Sequence, residues 1–137
     1  ITVMVQKEAA ERLCAQPGTR ECGAVSAAVQ YYAEPEILFE VSRGSFMPAP
    51  NVDSAVIQLR IRKEPPVDVH DEALFFRVIR AAFAQRRKTA VNSISNTLRM
   101  SKQQVTDAFE QAGVRANSRA EALTLPEFAA IVNQLAD

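Results

Sequence analysis

Residue types that build disulfide frameworks and metal sites are scarce in this sequence. It contains two cysteines, one histidine and no tryptophan among 137 residues. Two cysteines are too few for a disulfide scaffold, and the spacing of Cys14, Cys22 and the single His70 matches no zinc motif. We therefore expect two reduced thiols and no metal ion. One histidine in a predicted linker also argues against Ser–His–Asp or Cys–His catalysis.

Long apolar runs and clustered glycines are also missing. No stretch approaches the roughly 18 apolar residues of a membrane span, and the pattern of a secretory signal peptide is absent. The four glycines are scattered, so no predicted strand is followed by a glycine-rich phosphate loop. We expect a cytoplasmic protein without a membrane partner and without a nucleotide site of the glycine-rich kind.

An excess of one charge is absent from the whole sequence but present in its parts. Sixteen basic and sixteen acidic residues give a net charge of zero. Residues 1–72 contain 7 basic and 11 acidic residues, whereas residues 73–137 contain 9 basic and 5 acidic residues, so the parts carry −4 and +4. No acidic residue lies between Arg77 and Thr106. The second part is therefore the candidate for contact with an anionic partner.

The first 62 residues have the patterning of a small α/β unit. Apolar or alternating residues predict three strands and two helices, in the order strand 1–5, helix 7–15, helix 23–33, strand 36–41 and strand 54–62. Natural domains seldom begin inside an apolar core strand, and this strand has no lead-in and no initiator methionine. We expect the chain to be part of a longer protein, and the edge of strand 1–6 to be open to pairing with another copy or with a missing half.

A proline-containing joint separates this unit from an all-helical remainder. Residues 63–68 hold two prolines and several charges. Beyond them, apolar residues recur at helical spacing from Leu74 to Phe83. Three capping-box pairs predict further helix starts, at Ser101–Gln104, Ser118–Glu121 and Thr124–Glu127. The expected organisation is an α/β part over 1–63, a linker over 64–70 and a helical domain over 71–137.

Three sequence strings together carry a family resemblance. They are VMVQKEAAERL at 3–13, FMPAPNVDSAVIQLRI at 46–61 and AFAQRRKTAVNSI at 82–94. In this order and spacing they resemble the bacterial small-subunit rRNA adenine dimethyltransferases, and the segment between the first two strings is also similar to that family. These enzymes use S-adenosylmethionine to dimethylate two neighbouring adenines near the 3′ end of small-subunit rRNA. Resistance methylases acting on large-subunit rRNA share the fold, but the third string fits the small-subunit family better.

The resemblance implies that the chain is the C-terminal part of such an enzyme. The fold class would be α/β, namely three strands of a Rossmann-like methyltransferase sheet with strand 54–62 in the middle, followed by an all-α domain that docks rRNA. The cofactor loop, the acidic residue that holds the ribose and the catalytic loop of the family are not in this sequence. We therefore expect S-adenosylmethionine in the parent enzyme, none bound to this chain, and no methyl transfer by it alone.

The expected partners follow from the same resemblance. They are small-subunit rRNA and the pre-30S ribosomal subunit, which places the protein in ribosome biogenesis. An alternative is a non-enzymatic RNA-binding or ribosome-assembly module of the same fold. Both alternatives predict salt-dependent RNA binding.

Phe46 is the candidate catalytic residue. The exocyclic amine of adenine is reached only when the base has left its stack, and an aromatic face can hold such a base. In related adenine-N6 methyltransferases the aromatic residue before the proline-containing loop lies over the target base, and Phe46 matches that position. Pro48 and Pro50 would stiffen this loop. Spacing alone also fits a Phe46 that only closes the end of the sheet; the resemblance favours base stacking.

The candidate RNA-binding residues are Arg77, Arg80, Arg86, Arg87 and Lys88. They fall largely off the apolar stripe, in a stretch without acidic residues. Such a stripe favours phosphate contact, although a solvated helix end, where cations meet the negative end of the dipole, has the same pattern. The resemblance favours RNA contact. Nearby basic residues could extend the set: Arg60, Arg62 and Lys63.

Residues 6–8 are weaker candidates. They follow the first strand, at the end of an open α/β sheet where ligands bind, but an acidic residue there also favours the start of a helix. Asp53 is expected to shape the loop before the third strand. Tyr31 and Tyr32 are expected to pack rather than to stack on RNA.

Overall fold

The elements of the fold are three strands and six α-helices in the computed structural model, which describes residues 1–19, 22–45 and 52–136. In chain order they are β1 (Thr2–Gln6), α1 (Lys7–Leu13), α2 (Ala24–Tyr32), β2 (Ala33–Val41), β3 (Ser54–Ile61), α3 (Glu72–Phe83), α4 (Ala90–Leu98), α5 (Lys102–Gln111) and α6 (Leu125–Ala136). Short 3-10 turns lie at Arg43–Ser45 and Ala120–Ala122. Each predicted strand is confirmed, although β2 begins three residues earlier than expected and α1 ends earlier.

The sheet is antiparallel, with the order β1-β3-β2. The expected central position of the strand that begins at Ser54 is therefore confirmed. Val3 pairs with Ile57, and Phe39 pairs with Val56 after a β-bulge in β2. Pro35 is tolerated in β2 because this is an edge strand. Among the described residues, β1 pairs on one side only.

Side chains on one face of the sheet form a small apolar core. Ala10 of α1 packs on Ala55 and Ile57 of β3, with partly buried residues of β1 around them. On the opposite face, Met4 and Phe39 are 53% and 56% exposed. Alternation along the strands sends these two sets of side chains to opposite faces.

A larger apolar core joins α3, α4, α5 and α6. Its bulky buried members include Phe75, Phe109 and Phe128. Ala27 and Tyr31 of α2 belong to the same cluster. Packing is therefore continuous from the helix that precedes β2 to the helices that follow the joint.

Helix caps explain where the later helices begin. The side chain of Asp71 accepts from the Leu74 N–H at the start of α3, and Ser101 caps α5. Thr124 and Glu127 form the expected reciprocal box before α6. The predicted cap at Ser118 is wrong: Arg119 stands at the start of the 3-10 turn, without a side-chain cap. The Ser118 carbonyl instead accepts the Ala90 N–H at 2.8 Å.

The described helices are all too short or too polar to cross a membrane.

Candidate functional site

Asp53 joins three chain segments at one edge of the sheet. Its carbonyl accepts the Lys7 N–H at 2.9 Å, and its carboxylate accepts the Arg43 N–H at 2.9 Å. The end of β1, the turn after β2 and the start of β3 are thereby held together. Lys7 also pairs with Glu40 at 3.5 Å. Asp53 thus holds the described segments on either side of the loop before β3, and its predicted role in shaping residues 46–51 stays a prediction.

Phe46 belongs to the segment between that turn and β3. Residues 46–51 lie outside the described residues, so the predicted base-stacking position stays a prediction. Its described neighbours, Ser45 and Val52, flank the edge that Asp53 organises.

A cleft of about 700 Å³ opens beside this edge, between α1, the start of α2, the end of α3 and the second 3-10 turn. Its charged lining residues are Glu8, Glu11, Arg12, Arg86, Lys88 and Glu121. Glu8 follows Lys7 directly, so part of the lining lies next to the sheet edge. Another part belongs to the segment that joins α3 to α4. The same cleft is therefore lined by a residue next to the sheet edge and by two of the predicted RNA-binding residues.

The five predicted RNA-binding residues are all exposed. Arg77 and Arg80 lie on α3, whereas Arg86, Arg87 and Lys88 lie in the loop between α3 and α4, which we call the basic loop. Over the described residues, none of the five forms an ion pair with an acidic side chain. Unpaired exposed cations of this kind are free to meet phosphate groups.

Hydrogen bonds fix the backbone around the basic loop. The Gln85 N–H donates to Ser93 Oγ at 3.0 Å, and the Lys88 N–H donates to the Gln85 carbonyl at 3.1 Å. Thr89 then caps α4 by accepting the Asn92 N–H. The guanidinium of Arg119 donates to the Arg86 carbonyl at 3.4 Å. These hydrogen bonds therefore fix the backbone that carries the three cations of the basic loop.

Two of the basic residues considered as an extension of this set are engaged elsewhere. Arg60 pairs with Glu36 at 3.1 Å, and Arg62 pairs with Glu34 at 3.2 Å. Arg62 also donates to the Gln30 carbonyl at 2.9 Å. These cations hold β3 to β2 and α2, so we leave them out of the candidate surface.

Sequence reasoning missed Arg12 and Glu121 as members of the cleft. They lie on α1 and on the second 3-10 turn, more than 100 residues apart along the chain. No local pattern links such positions. Among the acidic lining residues, the sequence indicates only Glu8 as a site candidate, because it follows the first strand, whereas Glu121 is expected only to cap a helix.

Tyr31 packs between α2 and α3, as predicted, whereas Tyr32 is half exposed and stacks its ring on Phe76. Tyr31 contacts Phe75 and Phe76, with ring centroids 5.2 Å apart in both cases. Both tyrosine hydroxyls donate to the carboxylate of Glu72, at 3.1 and 3.0 Å. Burial, and then its hydrogen bond to Glu72, raise the pKa of Tyr31. For Tyr32, its own hydrogen bond to Glu72 is the main cause that raises the pKa.

Both cysteines are free thiols. Among the described residues, no group of His, Cys, Asp and Glu side chains could hold a metal ion. Cys22 is buried and lines the cleft. Burial raises the pKa of both thiols, so they are protonated at neutral pH.

Comparison with known proteins shows similarity over the whole chain. The family model described as ribosomal RNA adenine dimethylase matches residues 1–137. Ribosomal RNA small subunit methyltransferase A of Geobacillus sp. (strain WCH70) is 50% identical over 138 residues, which cover 98% of this chain and 47% of that protein. The protein of the same name from Lachnoclostridium phytofermentans is 50% identical over 135 residues, covering 97% and 47%. The chain spans about half the length of the curated relatives it matches.

Solved structures share the fold. A dimethyladenosine transferase from Plasmodium falciparum matches with a TM-score of 0.74 at 20% identity, over 95% of this chain and 54% of that chain. The 23S rRNA methyltransferase ErmE matches with a TM-score of 0.66 at 23% identity, over 99% and 54%.

Proposed function

Because the chain belongs to the ribosomal RNA adenine dimethylase family, we propose that it is part of an S-adenosylmethionine-dependent enzyme. The proposed enzyme dimethylates two adjacent adenines of small-subunit rRNA and so acts in ribosome biogenesis. The names of the curated relatives, which are about half identical to this chain, support the proposal. In this enzyme the chain binds the rRNA and contributes the loop that holds the target base.

The cleft beside the sheet edge carries this proposal. Its lining includes Glu8, which follows Lys7 at the sheet edge, and two residues of the basic loop, Arg86 and Lys88. RNA along the cleft would meet the basic loop and α3 through its phosphates, which fix register and orientation. A flipped adenine would then reach the sheet edge. Positioning the base in this way supplies much of the catalysis in such a transfer.

Phe46 is the proposed contact for the flipped base. Stacking of a base on an aromatic ring contributes roughly 1–3 kcal/mol. The support is the match to the family position and the attachment of its flanking residues at the edge held by Asp53. The five exposed cations, Arg77, Arg80, Arg86, Arg87 and Lys88, are the proposed phosphate contacts.

We also propose the domain organisation expected from the sequence. Residues 1–63 would form the C-terminal part of a Rossmann-like methyltransferase sheet, 64–70 a linker, and 71–137 an rRNA-binding domain. The antiparallel β3 between β1 and β2, and the fold shared with solved methyltransferases, support this organisation.

S-adenosylmethionine is the proposed methyl donor, held by residues outside this chain. The described residues at the sheet edge do not fit it well. Lys7 is engaged with Glu40, and Oδ1 of Asp53 already accepts the Arg43 N–H. The unpaired side of β1 is the proposed site of contact with another strand, either from the rest of the enzyme or from a second copy.

Complementation tests the proposed enzyme. Methyl transfer to undermethylated small subunits is measured with this chain alone, and with the N-terminal half of a curated relative supplied in trans. We expect no transfer by the chain alone and restored transfer with the added half. RNA binding without transfer under either condition would favour the non-enzymatic RNA-binding module instead.

Substitution at Phe46 tests the base contact within the restored enzyme. Phe46→Ala should abolish transfer and weaken RNA binding by no more than the loss of one stacked base, because the phosphate contacts remain. Phe46→Tyr is the matched control, since it keeps the aromatic face. Transfer by Phe46→Ala near the parent rate would refute the stacking role.

A further inference from the structure

We propose that Glu72 is a positioning residue that sets the width of the cleft by fixing α3 against α2 through Tyr31 and Tyr32. The inference about geometry stands on these contacts. Its consequence for RNA rests on the proposed function. We call the three side chains the Glu72 latch.

The hydrogen bonds of the latch use both oxygens of one carboxylate. Tyr31 Oη donates to Oε2 at 3.1 Å, and Tyr32 Oη donates to Oε1 at 3.0 Å. The two tyrosines are the last residues of α2, and Glu72 is the first residue of α3. A single side chain therefore receives both hydroxyls from the neighbouring helix, and hydrogen bonds to a charged group are among the stronger ones in proteins.

Ring contacts orient the same helix ends. The rings of Tyr32 and Phe76 are stacked, with centroids 5.5 Å apart and planes inclined by 18°. Tyr31 meets Phe76 edge-on, at 86°. Tyr31 is 3% exposed, but Tyr32 is 51% exposed, so burial alone does not account for the placement of Tyr32. Its ring and its hydroxyl both bind α3, which is what a residue that sets an angle between helices requires.

The latch and the cleft lie at opposite ends of the same pair of helices. The end of α2 meets the start of α3 at the latch, whereas Ala24 and Val25 at the start of α2 and Ala82 and Phe83 at the end of α3 line the cleft. The two helices therefore run antiparallel. With 12 residues, α3 is about 18 Å long, so a tilt of about 10° at the latch moves its far end by about 3 Å.

Such a movement would displace the basic loop. Arg86 follows the end of α3 by three residues, and it lines the cleft together with Glu8 and Glu11 of α1. A shift of about 3 Å equals a hydrogen-bond length and separates a formed phosphate contact from a lost one. The latch thus sets the distance between the sheet edge and the basic loop.

Residual dipolar couplings of backbone amides in the 137-residue chain measure the orientation of α3–α6 relative to the sheet directly. The wild-type couplings from β1–β3 and from α3–α6 should fit a single alignment tensor. Glu72→Ala and the double variant Tyr31→Phe/Tyr32→Phe should require two different tensors. Glu72→Gln keeps an oxygen acceptor and should restore the single tensor. The double variant keeps every ring, so it carries the test if Glu72→Ala does not fold.

A stability control separates positioning from general loosening. Ser101→Ala removes the cap of α5 and should lower the stability of the fold without touching the latch. Its couplings should still fit one tensor. If the latch variants also fit one tensor, or if Ser101→Ala separates the tensors equally, the latch does not set the orientation and the inference is overturned.

RNA binding provides the functional arm. The latch variants should bind a short RNA hairpin with two adjacent adenines at least about fivefold more weakly than wild type does. The reason is that the orientation of α3 and the phosphate contacts of the basic loop are coupled. Glu72→Gln should recover most of this loss. If wild type itself binds no RNA, the proposed function fails, while the dipolar couplings still decide whether the latch sets the orientation.

Discussion

Removal of the basic loop's charges is the most direct test of RNA docking by this chain. We predict that replacing Arg86, Arg87 and Lys88 together by alanine weakens RNA binding and makes it less dependent on salt. Each of the three is exposed, and none forms an ion pair with an acidic residue in the described part of the chain. Each can therefore contribute a full phosphate contact and release the counterions of that phosphate.

The size of the effect follows from counting those contacts. A phosphate contact contributes about 0.7 to the slope of log Kobs against log salt for a single strand and about 0.9 for a duplex. Loss of three contacts should lower the slope by about 2 to 3. The fold should be unaffected, since exposed substitutions of this kind usually change stability by less than about 0.5 kcal/mol.

Fluorescence anisotropy of a labelled RNA hairpin over a salt series measures the slope. The matched control is Arg86→Lys/Arg87→Lys/Lys88→Arg, which keeps all three charges and should keep the slope. Arg60→Gln removes a cation already paired with Glu36 and should change the slope little. An unchanged slope in the alanine variant would refute phosphate contact by the basic loop. It would indicate that the loop only connects α3 to α4 and faces solvent.

Two further predictions concern the tyrosines and the edge of the sheet. Because the folded state raises the pKa of Tyr31 and Tyr32, their contribution to stability is present below about pH 10 and is lost as pH rises through the raised values. Denaturant titrations should therefore show that the free energy of unfolding falls less with alkaline pH in Tyr31→Phe/Tyr32→Phe than in wild type. Equal losses would contradict this. The cysteines, whose pKa is also raised, contribute equally to both proteins. If the unpaired side of β1 binds a second copy, light scattering should show a dimer and amides 2–5 should exchange slowly; a strict monomer with fast exchange there would exclude pairing between copies.

The elements with the clearest local patterns could be predicted from the sequence. The alternation that begins at Ser54 predicts β3, and the apolar stripe that ends at Phe83 predicts α3. The cap at Ser118 failed because a hydroxyl followed by an acid three residues later is only a local signal. In the structure the Ser118 carbonyl receives the Ala90 N–H, from a helix that lies 28 residues earlier.

In the candidate site, too, the features formed by neighbouring residues are predictable and those formed by tertiary packing are not. The basic loop was predictable because its cations are adjacent in the chain, and charge density is visible without a fold. The cleft was not, since Arg12 and Glu121 meet there only through tertiary packing.

The Glu72 latch shows why polar contacts between distant elements escape a sequence pattern. Glu72 by itself reads as an ordinary acidic residue in the first turn of a helix, where the dipole favours it. Tyr31 and Tyr32 by themselves read as packing residues, and for Tyr31 that interpretation is correct. Their pairing depends on the antiparallel packing of α2 on α3, which brings together residues 41 and 40 positions apart in the chain. The residues proposed to bind RNA are thus visible in the sequence, whereas the residues proposed to position them become visible only in the fold.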